Sequence, residues 1–137
     1  MDGLDRFIHA QQGRYEPALA ELRAGRKTGH WIWFVLPQLR GLGRSAMAHD
    51  YGIADRGEAA AYLAHPLLGM RLRDCVTAML GHRGRSAASI LGDVDAMKFR
   101  SCLTLFDAVS DAPDNLFRQA LDCFYGGQPD AATLALL

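Results

Sequence analysis

Apolar residues recur along this chain at intervals of three and four, the signature of helices with one buried face. Over residues 3–24, Leu4, Phe7 and Ile8 form one stripe, and Tyr15, Ala18, Leu19 and Leu22 form a second that ends at Gly25. Gly13 lies between them, and Pro17 falls near the start of the second run, where a missing N–H does little harm. The pattern predicts two helices here rather than one. Pro37 and the Gly41/Gly43 pair then break regularity, and Ser45 is placed to cap a short helix carrying Met47 and Tyr51.

In "ADRGEAAAYLAH", Asp55 is the expected N-cap, with Glu58 three residues on at capping-box spacing. Pro66 stops that helix and is placed to open the next as its first residue. "PLLGMRLRDCVTAML" sets Leu68, Leu72, Cys75, Val76 and Met79 on one face and closes at Gly81. "GHRGRS" reads as a basic, glycine-rich loop, and Ser86 as the cap of a short helix. Asp93 is the expected cap of the longest run, "DVDAMKFRSCLTLFDAVS", whose apolar stripe would hold Val94, Met97, Cys102, Leu105, Phe106 and Val109. Asp114 is expected to start a helix with Leu116, Phe117, Ala120, Leu121 and Phe124 inward, ended by Gly126. A last short helix follows Pro129.

Period-two alternation is absent beyond four residues. "WIWFVL" alone has strand-like composition, and a single strand has no partner here. The chain is therefore read as all-α, a bundle of about seven to nine short helices forming one domain over residues 1–137, with no internal repeat.

At 137 residues the chain can hide roughly 70% of its extended surface, enough for a core without metal or disulfide staples. Its 15 basic and 15 acidic residues cancel, so no global field draws it to nucleic acid or an anionic membrane. Any nucleic-acid role would need a local patch, and none is expected in general. Cys75, Cys102 and Cys123 are odd in number and lie far apart inside apolar patterns, as buried free thiols of a reducing compartment do. The opening "MDGLDRFIHAQQ" is acidic where a signal peptide is basic, and no run nears the ~20 apolar residues of a membrane span. A soluble, cytoplasmic protein is expected.

Several chemistries lack their motifs. Neither "GRSAM" nor "GRSAAS" is a serine elbow. The histidines His9, His30, His49, His65 and His82 form no zincin pattern, and no cysteine pair has zinc-ribbon spacing. "GLGRS" lacks the lysine and spacing of a phosphate loop, although Arg44 beside a helix start at Ser45 is suited to an anion. Asp93 and Asp95 are two apart on a helix and diverge by about 200°, so capping and dipole complementarity explain them better than a shared metal. Neither metal nor cofactor is expected.

One segment concentrates ligand-competent residues. Around Trp31 and Trp33 stand Arg26, Lys27, His30, Phe34, Gln38, Arg40 and Arg44. Two tryptophans in three residues ordinarily mean a core with a polar edge. In a helix Trp31, Phe34 and Val35 share a face and Trp33 points elsewhere; in an extended segment the two indoles share one. The functional reading has an indole, His30 and the cations stack a flat ring and hold an anionic group. His30 is the best single acid–base candidate, because a histidine ordinarily changes charge near neutrality.

The run from "FIHAQQGRYEPALAELRAGRKTGHWIWFVLPQLRGLGRS" to "AMAHDYGI", then "EAAAYLAHPLLGMRL", "KFRSCLTLF" and "GGQPDAATLALL", resembles the bacterial family called domain of unknown function 1810, sometimes labelled calpastatin-like. The likeness covers nearly the whole chain, and H-W-x-W-F-x-x-P-Q with G-L-G is its most specific part. Matching positions are Gln11, Tyr15, Lys27, His30, Trp31, Trp33, Phe34, Pro37, Gln38, Gly41, Gly43, Tyr51, His65, Pro66 and Lys98. Beyond Lys98 the chain departs from the pattern, reading Phe99, Arg100, Ser101, Cys102, Leu103, which weakens any special chemical role for Cys102. The resemblance implies an all-α domain and carries over no catalytic residue.

Three function classes follow. The first is a small module binding an anionic or nucleotide-like ligand through Lys27, His30, Trp31, Trp33, Gln38, Arg44 and Lys98. The second is a metal-independent hydrolase or N-glycosidase on a nucleotide-like substrate, with His30 or a nearby carboxylate as acid–base. The third is an interaction or homo-oligomerisation module docking through the aromatic segment.

Overall fold

The structure, a computed structural model, describes residues 3–137; Met1 and Asp2, which open the acidic N-terminus, lie outside the described residues. Among those residues there are ten helices and no strand: α1 (Asp5–Gln11), α2 (Tyr15–Ala24), α3 (Ile32–Val35), α4 (Ala46–Asp50), α5 (Arg56–Ala64), α6 (Leu68–Leu80), α7 (Ala87–Leu91), α8 (Asp93–Ala108), α9 (Leu116–Tyr125) and α10 (Ala131–Leu136). The all-α expectation holds, with more helices than the seven to nine predicted. The extra element is α3, a single turn inside the strand-like "WIWFVL". Among the described residues no helix is long and apolar enough to cross a membrane.

Capping chemistry sets most boundaries. Ser45, Asp55, Ser86 and Asp130 each accept a backbone N–H of the first turn with a side-chain oxygen, which satisfies one of a helix's orphan donors. Gly25 ends α2 in the left-handed region at φ 76°. Three boundaries differ from expectation. Gly92, not Asp93, is the N-cap of α8; Asp93 is exposed in the first turn, where its charge complements the helix dipole. Asn115, one residue after Asp114, caps α9 by accepting from the N–H of Phe117 and of Arg118, each at 3.0 Å. Pro66 lies in the turn before α6 rather than inside it, and the neighbouring His65 does the capping: its Nδ1 accepts from Leu67 N at 3.1 Å and Leu68 N at 3.2 Å.

α6 packs on α2, α5 and α9, while α8 packs on α5, α7, α9 and α10. A row of rings crosses the core, from Phe7 to Tyr62 at 5.1 Å, Tyr62 to Phe106 at 5.4 Å and Phe106 to Phe117 at 5.7 Å. The expected α8 stripe is wrong at its start, since Val94 and Met97 are 66% and 72% exposed. α10 covers that side of α8 only from Ser101 and Thr104 onward, where Asp130 bonds both hydroxyls, so the earlier turn stays bare. Of the expected stripe Cys102, Leu105 and Phe106 are fully buried, and Ala96, Phe99 and Leu103 join them inward. In α9, Leu116 and Phe124 are half-buried rather than inward. Cys75 and Cys102 are buried free thiols as expected, whereas Cys123 is half-buried. Burial, aided by the Asp74 charge, pushes the Cys75 thiol up to about 12, so it stays protonated and inert.

Candidate functional site

The aromatic segment folds around one carboxylate. Glu21, on the last turns of α2, receives three N–H groups on its Oε1: Thr28 N at 2.7 Å, Gly29 N at 2.8 Å and Trp31 Nε1 at 3.0 Å. Partial burial by itself pushes the Glu21 carboxyl up. The Gly29, Thr28 and Trp31 hydrogen bonds together outweigh it and hold the carboxyl below its ordinary range. Trp31 is thereby sealed in the core at 3% exposure, beside Phe34 and Val35.

A second polar link ties this loop to α8. Lys27 Nζ sits 4.9 Å above the Trp31 ring and 2.6 Å from Asp95 Oδ2, with a side chain only 6% exposed. Its backbone N–H donates to the Ile90 carbonyl of α7 at 2.8 Å. Lys98, one turn after Asp95, places its Nζ 4.9 Å above the Trp33 ring and 3.8 Å from Asp95 Oδ1. Of the candidate residues the structure thus gathers Lys27, Trp31, Trp33 and Lys98 around Asp95. Trp33 is half-buried, and its Nε1 has no partner among the described residues.

The other three candidates stand apart. His30 is exposed, and its carbonyl accepts from Arg14 Nη2. Gln38 is buried at 8%, with its carbonyl accepting from Ile53 N at 2.9 Å. Arg44 is exposed on the loop before α4.

A different set of residues surrounds open space. A cleft of about 600 Å³ is lined by Gly3, Arg6, His9, Arg40, His49, Asp50, Tyr51, Ala54 and Glu58. Its floor is the ion pair of Arg6 in α1 with Glu58 in α5, Nη2 to Oε1 at 2.6 Å and Nη1 to Oε2 at 3.2 Å. The guanidinium also donates to three carbonyls, those of Asp50, Gly52 and Gly3. Glu58 further accepts from Ala54 N at 3.0 Å. Asp55 completes half of the expected capping box by accepting the Glu58 N–H. The Glu58 side chain, expected to reach back to Asp55, goes one residue further and joins Arg6 instead. The Arg6 hydrogen bonds, against the cost of burial, hold the Glu58 carboxyl below its ordinary range, with Ala54 N and the Arg40 charge adding to the effect.

The aromatic segment meets this cleft at its far end. Phe34 packs at 5.5 Å on Tyr51, a wall of the cleft. Past Pro37 the chain runs extended, and Leu39 pairs with Ile53 as an isolated parallel bridge. Arg40 N donates to Ile53 O at 2.8 Å. The approach needs glycine opposite: a Cβ on Gly52 would lie 2.6 Å from Arg40 Cα. Arg40 is so delivered to the cleft, its Nε donating to the His49 carbonyl at 3.0 Å.

His9, Arg6, His49, Asp50 and Glu58 carry no motif that marks them as a group. The sequence signal was indirect, in the capping-box glutamate and in two histidines on helices whose faces were not yet known to meet. Among the described residues no cluster of metal-ligating side chains occurs. A shallower depression of about 460 Å³ is lined by Arg83, Gln119, Asp122 and Cys123.

An all-helical protein with a hydrogen-bonded polar cleft is the class that these features define. The chain belongs to the family described as "Protein of unknown function (DUF1810)", whose model matches residues 1–137. It is also similar to a solved structure, that of the conserved hypothetical protein Rv1873 from Mycobacterium tuberculosis, at 48% sequence identity and a TM-score of 0.94. That match covers 98% of this chain and 95% of the other. A comparison with curated proteins finds no match.

Proposed function

We propose that this chain is a single-domain binding module for a small polar ligand, seated in the cleft between α1, α4 and the start of α5. The observation that carries this reading is the cleft itself, about 600 Å³ of space over the Arg6–Glu58 pair. Ligand sites are ordinarily concave and largely pre-formed, with a few convergent polar groups. Here His9, Arg40, His49 and Asp50 come from three separate elements and converge on one space. The H-W-x-W-F segment supports the site from behind, through Phe34 on Tyr51 and through the extended stretch that carries Arg40. Trp31, with its indole N–H on Glu21 and Lys27 across its face, serves as a staple.

Heteronuclear NMR of the labelled protein against neutral, cationic and anionic small polar compounds tests the assignment. The expected shifts fall on the His9 and His49 side chains and on the amides of Arg40, Asp50 and Tyr51. Shifts gathered on the Trp31 and Trp33 indole N–H signals instead would move the site to the aromatic segment and overturn the assignment.

A further inference from the structure

The charged groups of the cleft divide into those already engaged and those left over. All three nitrogens of the Arg6 guanidinium are engaged: Nε on the Asp50 carbonyl, Nη1 on Gly3 and Glu58, Nη2 on Gly52 and Glu58. Glu58 is neutralised by that pair and also holds the Ala54 N–H. Arg6 therefore has no N–H left for a ligand, and Glu58, whose charge is paired with it, has only an acceptor site on Oε2 to offer. Arg40 differs, because its Nε is engaged on the His49 carbonyl while its two Nη groups hold no bond among the described residues. Its backbone is fixed on Ile53 and its Cα and Cβ lie against Gly52, and the Nε bond to the His49 carbonyl orients the guanidinium at the end of its side chain. The Asp50 carboxylate, 66% exposed and 3.5 Å from His49 Nδ1, stands at the solvent edge.

Resting on the cleft being the ligand site, we infer that its ligand carries a terminal oxyanion, a phosphate or a carboxylate. Arg40 holds that anion through Nη1 and Nη2, with His9 and His49 as flanking hydrogen-bond donors. The planar fork of a guanidinium matches two oxygens of one anion, which a lysine in its place would not do. With Arg6 and Glu58 paired, Arg40 is the cation left facing the space among the described lysines and arginines of the cleft, and the Asp50 carboxylate, 66% exposed, lines the same space with His49 beside it.

Titration of the labelled protein with inorganic phosphate, acetate, adenosine 5′-monophosphate and adenosine, read on the His9 and His49 side-chain signals, tests this. The monophosphate is expected to bind at least about tenfold tighter than adenosine, and Arg40→Gln to weaken it by about 10- to 100-fold. Arg40→Lys is expected to recover part of the loss. Inorganic phosphate acting without acetate assigns a phosphate, and the reverse assigns a carboxylate; either supports an oxyanion. If adenosine binds as well as its monophosphate, or if a folded Arg40→Gln protein binds the monophosphate unchanged, the oxyanion assignment is overturned while the cleft remains a ligand site. If none of these compounds, nor any in the wider polar set, moves the cleft signals, both readings fall together.

Discussion

Glu21 and Glu58 are half-buried carboxylates, each held below its ordinary range by the hydrogen-bond donors around it, yet they serve regions of opposite character. Around Glu21 every donor belongs to the loop that the carboxylate organises, and the indole it grips is sealed in the core. Around Glu58 the donors lie on one side, and the other side opens on water. The difference teaches that a dense cluster of aromatic and charged residues in sequence marks a place of strong packing. A site needs in addition a face that nothing covers. Trp31 and Lys27 satisfy each other through Glu21 and Asp95, which leaves little for a ligand to complete.

Three measurements sharpen or break this contrast. The largest effect is expected from Trp31→Ala, which removes a core ring together with its bond to Glu21, at roughly 4 kcal/mol in urea unfolding. A loss below about 1 kcal/mol would show that the indole is not a staple.

Next comes Glu58→Gln, which leaves the buried Arg6 guanidinium without its counter-charge, at about 3 kcal/mol. Glu21→Gln keeps an acceptor for the N–H groups and is expected to cost about half as much. Both carboxyls sit lower in the folded state than in the unfolded chain. Their stabilisation is therefore complete above the ordinary carboxylate range of about 4, and is lost as pH falls through the lowered folded values. Each substitution should flatten the acid limb of the stability–pH curve, Glu58→Gln more than Glu21→Gln. The reverse order would place the stronger electrostatic lock in the aromatic region.

The smallest effect is expected from Lys98→Met, which keeps the aliphatic stem over Trp33 and removes the ammonium, at about 0.5 kcal/mol. Lys27→Met, with the same change at a side chain 6% exposed against 23% for Lys98, should cost several times more. Equal costs would mean that Asp95 treats the two lysines alike.

Local signals made most of the fold readable. Ser45, Asp55 and Ser86 cap the helices they were expected to cap, and Gly25 and Gly126 end theirs, because caps are decided by residues three or four apart. The boundaries expected at Asp93, Asp114 and Pro66 are off by one or two residues, and the larger failures depended on remote neighbours. Val94 and Met97 have the spacing of core residues, but whether that side of α8 is covered is settled by α10, some 30 positions later in the chain. Lys27 and Lys98 stand out in sequence as candidate ligand contacts, but Asp95, which pairs with both, carries no local sign of that role beyond its place in a first helical turn. The cleft was least legible. Arg6 and Glu58 are 52 positions apart, and no periodicity announces that one will neutralise the other.

The bridge between Leu39 and Ile53 has a practical consequence for watching this molecule at work. It is closed by the amide protons of Arg40 and Ile53, and it belongs to no longer ladder that would mask local opening. Hydrogen exchange at those two amides is thus a built-in clock for the cleft wall, timing how long it stays assembled between excursions.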